Sequence, residues 1–412
     1  MRKLIFASAS AVALLAAPAL AQPISSQSVG EVTQAGAYNK ATINQQSATN
    51  ARSVISQSGT GGVNEENDVV TTQTGDSAFS SVTQSGSKLN KAEVRQDGDN
   101  DSTITQMAGR NEAEVSQGGG TGNQSSIRQS GIANVVGDAL NGPAVTGVLQ
   151  TGSDNLSDVT QNSNGSAAGV IQTGQRNESA VNQTNGEFGQ YRSATINQLG
   201  DDNYSSVDQR GSVPKVGSFP QSDVFVTQIG DGNRSVATQA ADNTLIDIDQ
   251  TGDLNRSVVN QLAGAVGASA RVTQSSTGSG AYPRNNVEIN QSADADAVVT
   301  QTGSDHSAIV DQGGAGSGVN VAQTGSGNQA WADQLATGSQ INITQGASGN
   351  RADVTQSAGS GLQADILQTG TSNDALIAQS GATNDAEILQ AGSDATASIV
   401  QAGSFHSALI RQ

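Results

Sequence analysis

The sequence predicts an all-β fold, a β-solenoid of about 16 stacked strand–turn–strand coils with two facing parallel sheets. Three observations carry that expectation. A glutamine returns about every eleven residues, a two-residue alternation precedes each one, and large side chains are too scarce for a thick core. Only 3% of the 412 residues are aromatic and 34% are hydrophobic, while 49 are glycine. Such a composition would ordinarily signal disorder, and it is the periodicity that overrides that default.

In chain order, the first element is an export signal. Arg2 and Lys3 form a basic start, Leu4–Leu15 is a short apolar run, and Ala19-Leu20-Ala21 has the A-x-A form of a cleavage site. Residues 1–21 read as a signal peptide, with a mature start at Gln22, and residues 22–31 as a flexible N-terminal segment. The repeat array runs over residues 32–412.

Thirty-two landmark glutamines, from Gln34 to Gln412, leave 31 intervals; 19 are eleven residues long and six more are ten or twelve. Two residues before the landmark stands Val or Ile in 29 of 32 segments, the exceptions being Thr71, Ala237 and Ala332. Four before stands Ala or Ser in 24, and six before stands Asn or Ser in 21. These positions share one parity, so in a strand they face one way. Asn/Ser–Ala/Ser–Val/Ile–Gln is therefore one buried stripe, and period two means strand rather than helix. The alternate positions hold charge, as in Lys91, Glu93 and Arg95 or Arg351 and Asp353.

The clearest unit is Ser317–Gln334. Two seven-residue segments, Ser317–Gln323 and Asn328–Gln334, flank the link Thr324, Gly325, Ser326 and Gly327. Glycine two residues past the landmark follows in 20 of 31 intervals, because it supplies the positive φ of a tight turn. The next unit repeats the heads and landmarks as Ser339, Gln345, Asn350 and Gln356. These eight residues are the expected rungs of inward ladders, and Gly325 and Gly327 the expected turn glycines. The long intervals place insertions near 61–66, 134–143, 184–191, 211–221 and 275–284, which are expected to leave one edge of the stack. Pro143, Pro214, Pro220 and Pro283 all fall there, and none falls in a strand whose ladder it would break.

One such unit cannot bury its stripe, but stacked copies can. Each coil then supplies the crossover that parallel strands require. Sixteen coils at about 4.8 Å give a rod on the order of 75 Å long. Stacking sets Gln above Gln and Asn above Asn, so the buried amides pair along an amyloid-like ladder instead of going unsatisfied. The last landmark, Gln412, sits on a strand with no cap after it, an edge expected to template addition of another chain.

Catalytic chemistry finds no constellation. The two histidines, His306 and His406, both stand at strand heads and read as variants of Asn or Ser. A net charge of −18 opposes nucleic-acid binding, and the absence of cysteine removes disulfide and thiolate sites. No cofactor and no metal are expected. Asp97, Asp99 and Asp101 have D-x-D-x-D spacing, but Ala108 stands where an EF-hand loop needs glutamate, so a solvated acidic turn is the better account. The lone Trp331 points outward by parity.

With Ser317, Gln323, Gly325, Gly327, Asn328, Ala330 and Gln334, the opening unit satisfies S-x5-Q-x-G-x-G-N-x-A-x3-Q and resembles the curlin repeat of bacterial curli fibres. Ser28/Gln34/Gly36/Asn39/Ala41/Gln45 and Ser222/Gln228/Gly230/Gly232/Asn233/Gln239 follow it, the latter with Ser235 for alanine. Ser166/Gln172/Gly174/Asn177/Gln183 and Ser339/Gln345/Asn350/Ala352/Gln356 follow more loosely. The resemblance implies a secreted, extracellular subunit that self-associates into functional-amyloid fibres at the cell surface, for adhesion and biofilm matrix. It also implies other curli subunits and an outer-membrane secretion pore as partners. A monomeric β-solenoid adhesin and a calcium-binding repeat protein are the alternatives on the same fold.

Overall fold

The computed structural model describes residues 27–60, 66–86, 88–137, 147–184, 191–210, 221–276 and 285–412. The signal peptide expected over residues 1–21 lies outside them. Among the described residues every regular element is a strand. The strands form two parallel sheets, and consecutive strands never pair with each other. The first sheet contains sixteen strands, from Val29–Ala37 to Thr396–Ser404. The second runs from Asn39–Gln45 to Ser407–Arg411, each strand pairing with the equivalent strand one coil away. The protein is a β-solenoid.

Register is set by the glutamines. Gln34 lies opposite Gln57 in the first sheet and Gln45 opposite Gln73 in the second, and the match recurs through the stack. Slipping one residue would turn Val and Ile outward and the charged set inward, so the alternating pattern fixes the pairing. The core is a seam one side chain deep per sheet. It holds Ile55, Ile104, Ile196, Ile248, Ile343 and Ile377 among its largest members. Thr71, Ala237 and Ala332, the departures from Val or Ile, are buried at the same position of their strands.

Some boundaries differ from the sequence reading. Strand structure begins at Val29, so residues 29–31 belong to the first coil and not to a flexible segment. In the opening unit the first strand runs Ser317–Ser326, through the link, because Thr324, Gly325 and Ser326 pair with Thr302, Gly303 and Ser304 of the coil before. The arcs stack like the strands. Asn328 lies just ahead of the second strand, Gln329–Gln334.

The insertions are not all on one edge. The stretches themselves fall largely outside the described residues, but their flanks locate them. Those near 61–66, 184–191 and 211–221 join a first-sheet strand to the second-sheet strand that follows, whereas the one near 275–284 joins the sheets at the opposite edge. The one near 134–143 interrupts a strand. Val135–Val136 and Val148–Ser153 are two pieces of one rung, both lying between Glu112–Gly118 and Ser166–Gln175. Asn134 and Val136 thus serve that rung as head and core residue, each ten residues earlier than counting back from Gln150 suggests. Backbone pairing tolerates the excursion because both pieces keep their ladder partners.

Candidate assembly interface

The inward glutamines make two unbroken hydrogen-bonded columns. In the first sheet the Nε2 of each landmark donates to the Oε1 of the next, from Gln34 to Gln401. The second sheet repeats this from Gln45 to Gln412. The other amide proton settles which end is which. Gln228 Nε2 donates to the Tyr204 carbonyl at 3.0 Å and Gln323 Nε2 to the Ser307 carbonyl at 3.1 Å, and only an NH2 group can face a carbonyl. Every amide dipole therefore points the same way along the rod, and the rod is polar.

The strand heads form a third system. Asn328 donates through Nδ2 to the carbonyls of Thr324, at 2.8 Å, and Ala347, at 3.2 Å, while its Oδ1 accepts the Asn350 N–H at 3.0 Å. Asn350 passes the same bond to Asn373. In the second sheet Ser317 Oγ donates to Ala336 and accepts the Ser339 N–H, and Ser339 Oγ accepts the Leu362 N–H. Gln323 pairs with Gln345 at 2.8 Å and Gln334 with Gln356 at 3.0 Å. The eight sequence-named residues thus lie in two separate sheets. Ser317 and Ser339 share one column with asparagine heads of earlier coils, as where the Ser166 N–H donates to Asn134 Oδ1, and Asn328 and Asn350 lie in the other.

His306 substitutes for asparagine in such a column. Its N–H donates to Asn285 Oδ1, its Nδ1 accepts the Asn328 N–H at 3.3 Å, and its Nε2 lies 3.2 Å from the Thr302 carbonyl. Those partners define a neutral ring protonated at Nε2. Burial pushes its pKa below the usual histidine value, against the raising effect of the Thr302 and Gly325 backbone contacts and Asp305. His406 repeats the first and third of these bonds, to Asn384 and Ala402, in the exposed last coil.

The turn glycines differ from each other. Gly325 has φ +97°, and a Cβ there would lie 1.8 Å from the Ala347 carbonyl oxygen of the next arc. Gly327 has φ +66° and open space around it. Trp331 is half-buried on the outer face, with the Arg351 guanidinium 5.0 Å from its ring centroid. Asp97 and Asp99 are exposed in a turn, and among the described residues no group of three or more His, Cys, Asp or Glu is placed to hold a metal ion.

Both outermost described coils are partly exposed at inward positions. Val32, an inward residue of the first coil, is 48% exposed, and Ala408 and Ile410 of the last are only partly buried. At the far end, Gln401 and Gln412 donate to the carbonyls of Asp385 and Thr396 across the core, with no further glutamine beyond them among the described residues. One end face thus offers amide donors and the other amide acceptors. Sequence reasoning named the inward columns and head-to-tail joining through terminal coils, but not the donor and acceptor character of the two faces.

A two-sheet parallel solenoid with continuous amide columns is a repeat protein. A family model for the curlin associated repeat matches residues 222–252, 359–392 and 370–403. No curated protein matches the chain significantly. The chain therefore carries curlin associated repeats in its C-terminal half.

Proposed function

We propose that the chain is a secreted structural subunit that polymerises end to end into extracellular, curli-like amyloid fibres for cell adhesion and biofilm matrix. The observation that carries this reading is the pair of unfinished glutamine columns. The donors of Gln401 and Gln412 at one face match the acceptors of Gln34 and Gln45 at the other, so a second copy extends both columns without a change of register. Buried apolar surface adds to the drive, since the open coils expose the same Val/Ile seam that every internal coil covers. Export follows from the expected signal peptide and from the family; other curli subunits and an outer-membrane pore are the partners this implies. The eight ladder residues from Ser317 to Gln356 act here through repetition and not as a discrete site.

The test is fibre formation by the purified chain, followed by electron microscopy and X-ray fibre diffraction. A meridional reflection near about 4.8 Å along the fibre axis is the expected result. A chain that stays monomeric at high concentration refutes the reading and favours a solitary rod.

A further inference from the structure

The first and last coils resemble each other more closely than stacking alone requires. Val29–Gln45 and Thr396–Gln412 are the same length and free of insertions, and both carry an A-G-x-aromatic arc between the sheets. In the first the arc is Ala35-Gly36-Ala37-Tyr38; in the last it is Ala402-Gly403-Ser404-Phe405. Tyr38 and Phe405 both adopt the left-handed conformation, with φ of 58° and 60°. They are the only aromatic residues among the non-glycine positive-φ positions described; the equivalent arcs elsewhere include Leu89, Arg110, Ala133, Asn243 and Thr383. A bulky side chain is disfavoured there, and both rings stand exposed. Tyr38 is 49% and Phe405 81% exposed.

We propose that Phe405 of one copy stacks on Tyr38 of the next, and that this aromatic clasp fixes the register of the joint. The proposal rests on the end-to-end reading above. With the last coil docked under the first, Gln401 meets Gln34, Gln412 meets Gln45, and Ile410 meets Ile43. In-register neighbours lie about 4.8 Å apart, which places the two rings in offset-stacking range. The glutamine columns alone do not choose this joint. Rotating the incoming copy half a turn about the fibre axis sets Gln401 on Gln45 and Gln412 on Gln34, and the seam still matches. The arcs do not. Phe405 would then meet Gln46–Asn50, an arc without an aromatic residue. The clasp selects the first arrangement.

Because the chain has no cysteine, engineered pairs report the register directly. Glu31 and Ser398 are exposed outward residues that become neighbours in the proposed joint; Thr42 and Ser398 become neighbours in the rotated one. Adjacent parallel strands bring Cα atoms to within disulfide range. Fibres grown from the E31C/S398C chain and oxidised should run as a ladder of covalent multimers in denaturing gels, while T42C/S398C fibres should run as monomer. Phe405→Ser should raise the critical monomer concentration roughly two- to tenfold, with Phe405→Tyr restoring it. Cross-linking through Thr42→Cys, cross-linking through neither pair, or an unchanged critical concentration for Phe405→Ser overturns the proposal while leaving fibre formation intact. Failure of the parent chain to form fibres overturns the functional reading itself.

Discussion

Replacing Gln228 by methionine tests whether the glutamine columns hold the rod together. Gln228 lies midway along the second sheet and is fully buried. It accepts from Gln198 at 2.9 Å and donates to Gln250 at 2.8 Å and to the Tyr204 carbonyl at 3.0 Å. Methionine keeps the length and loses all three bonds. One Gln198 proton, the Gln250 oxygen and the Tyr204 carbonyl are then buried without those partners, at about 1–3 kcal/mol each. Relief from burying the amide offsets about 2 kcal/mol, leaving a net loss of about 3 kcal/mol. Gln412→Met removes two such bonds in an exposed position, where water replaces them, and should cost under about 1 kcal/mol. Guanidinium unfolding of the unpolymerised chain, with amide exchange resolved by coil, measures both. Since coils contact only their neighbours, Gln228→Met should also separate the unfolding of the two halves. Equal losses for the two variants, or a Gln228→Met loss below about 0.5 kcal/mol, would refute the assignment of stability to the columns.

Three further outcomes follow from particular side chains. Ser157 buries an Oγ that has no partner, in a first-sheet column where later coils place Ala308, Ala330 and Ala352, so Ser157→Ala should raise stability by about 1 kcal/mol in the same unfolding assay. His306 is held neutral with its pKa lowered, so the unfolded chain takes up the proton first. Its contribution is complete above about pH 6.5 and declines as pH falls, by up to about 1.4 kcal/mol per unit; His306→Asn should flatten that part of the pH–stability curve. Gly325→Ala should cost more than about 1 kcal/mol, because its φ and the Ala347 carbonyl both oppose a Cβ. Gly327→Asn should be nearly neutral in thermal unfolding, since asparagine tolerates that conformation and nothing crowds it.

The inward columns were legible in the sequence because their cause is local. A strand alternates its faces every two residues, so Val at 29 of 32 equivalent positions, Ile included, and glutamine at every landmark declare a buried stripe before any partner is known. The glycine arcs were legible for the same reason, as positive φ is a property of one residue. What depends on neighbours was not. The sequence counted Ala144 and Thr146 back from Gln150, whereas the fold completes that rung with Asn134 and Val136 and sets the insertion inside a strand. Only pairing to both adjacent coils decides which residues occupy a rung. The bonds between strand heads, the common direction of the amides and the neutral form of His306 likewise depend on which carbonyl or N–H stands across the core or one coil away.

Tyr38 and Phe405 mark the same boundary. In the sequence they are two of very few aromatic residues, 367 positions apart, and nothing local connects them. The opening repeat, Ser317–Gln334, announced the coil, and the repetition announced the rod. Head-to-tail joining of the ends was an expectation from the sequence; which face donates and which accepts emerged only when the coils were stacked, because complementarity is a relation between surfaces that no single stretch of chain contains.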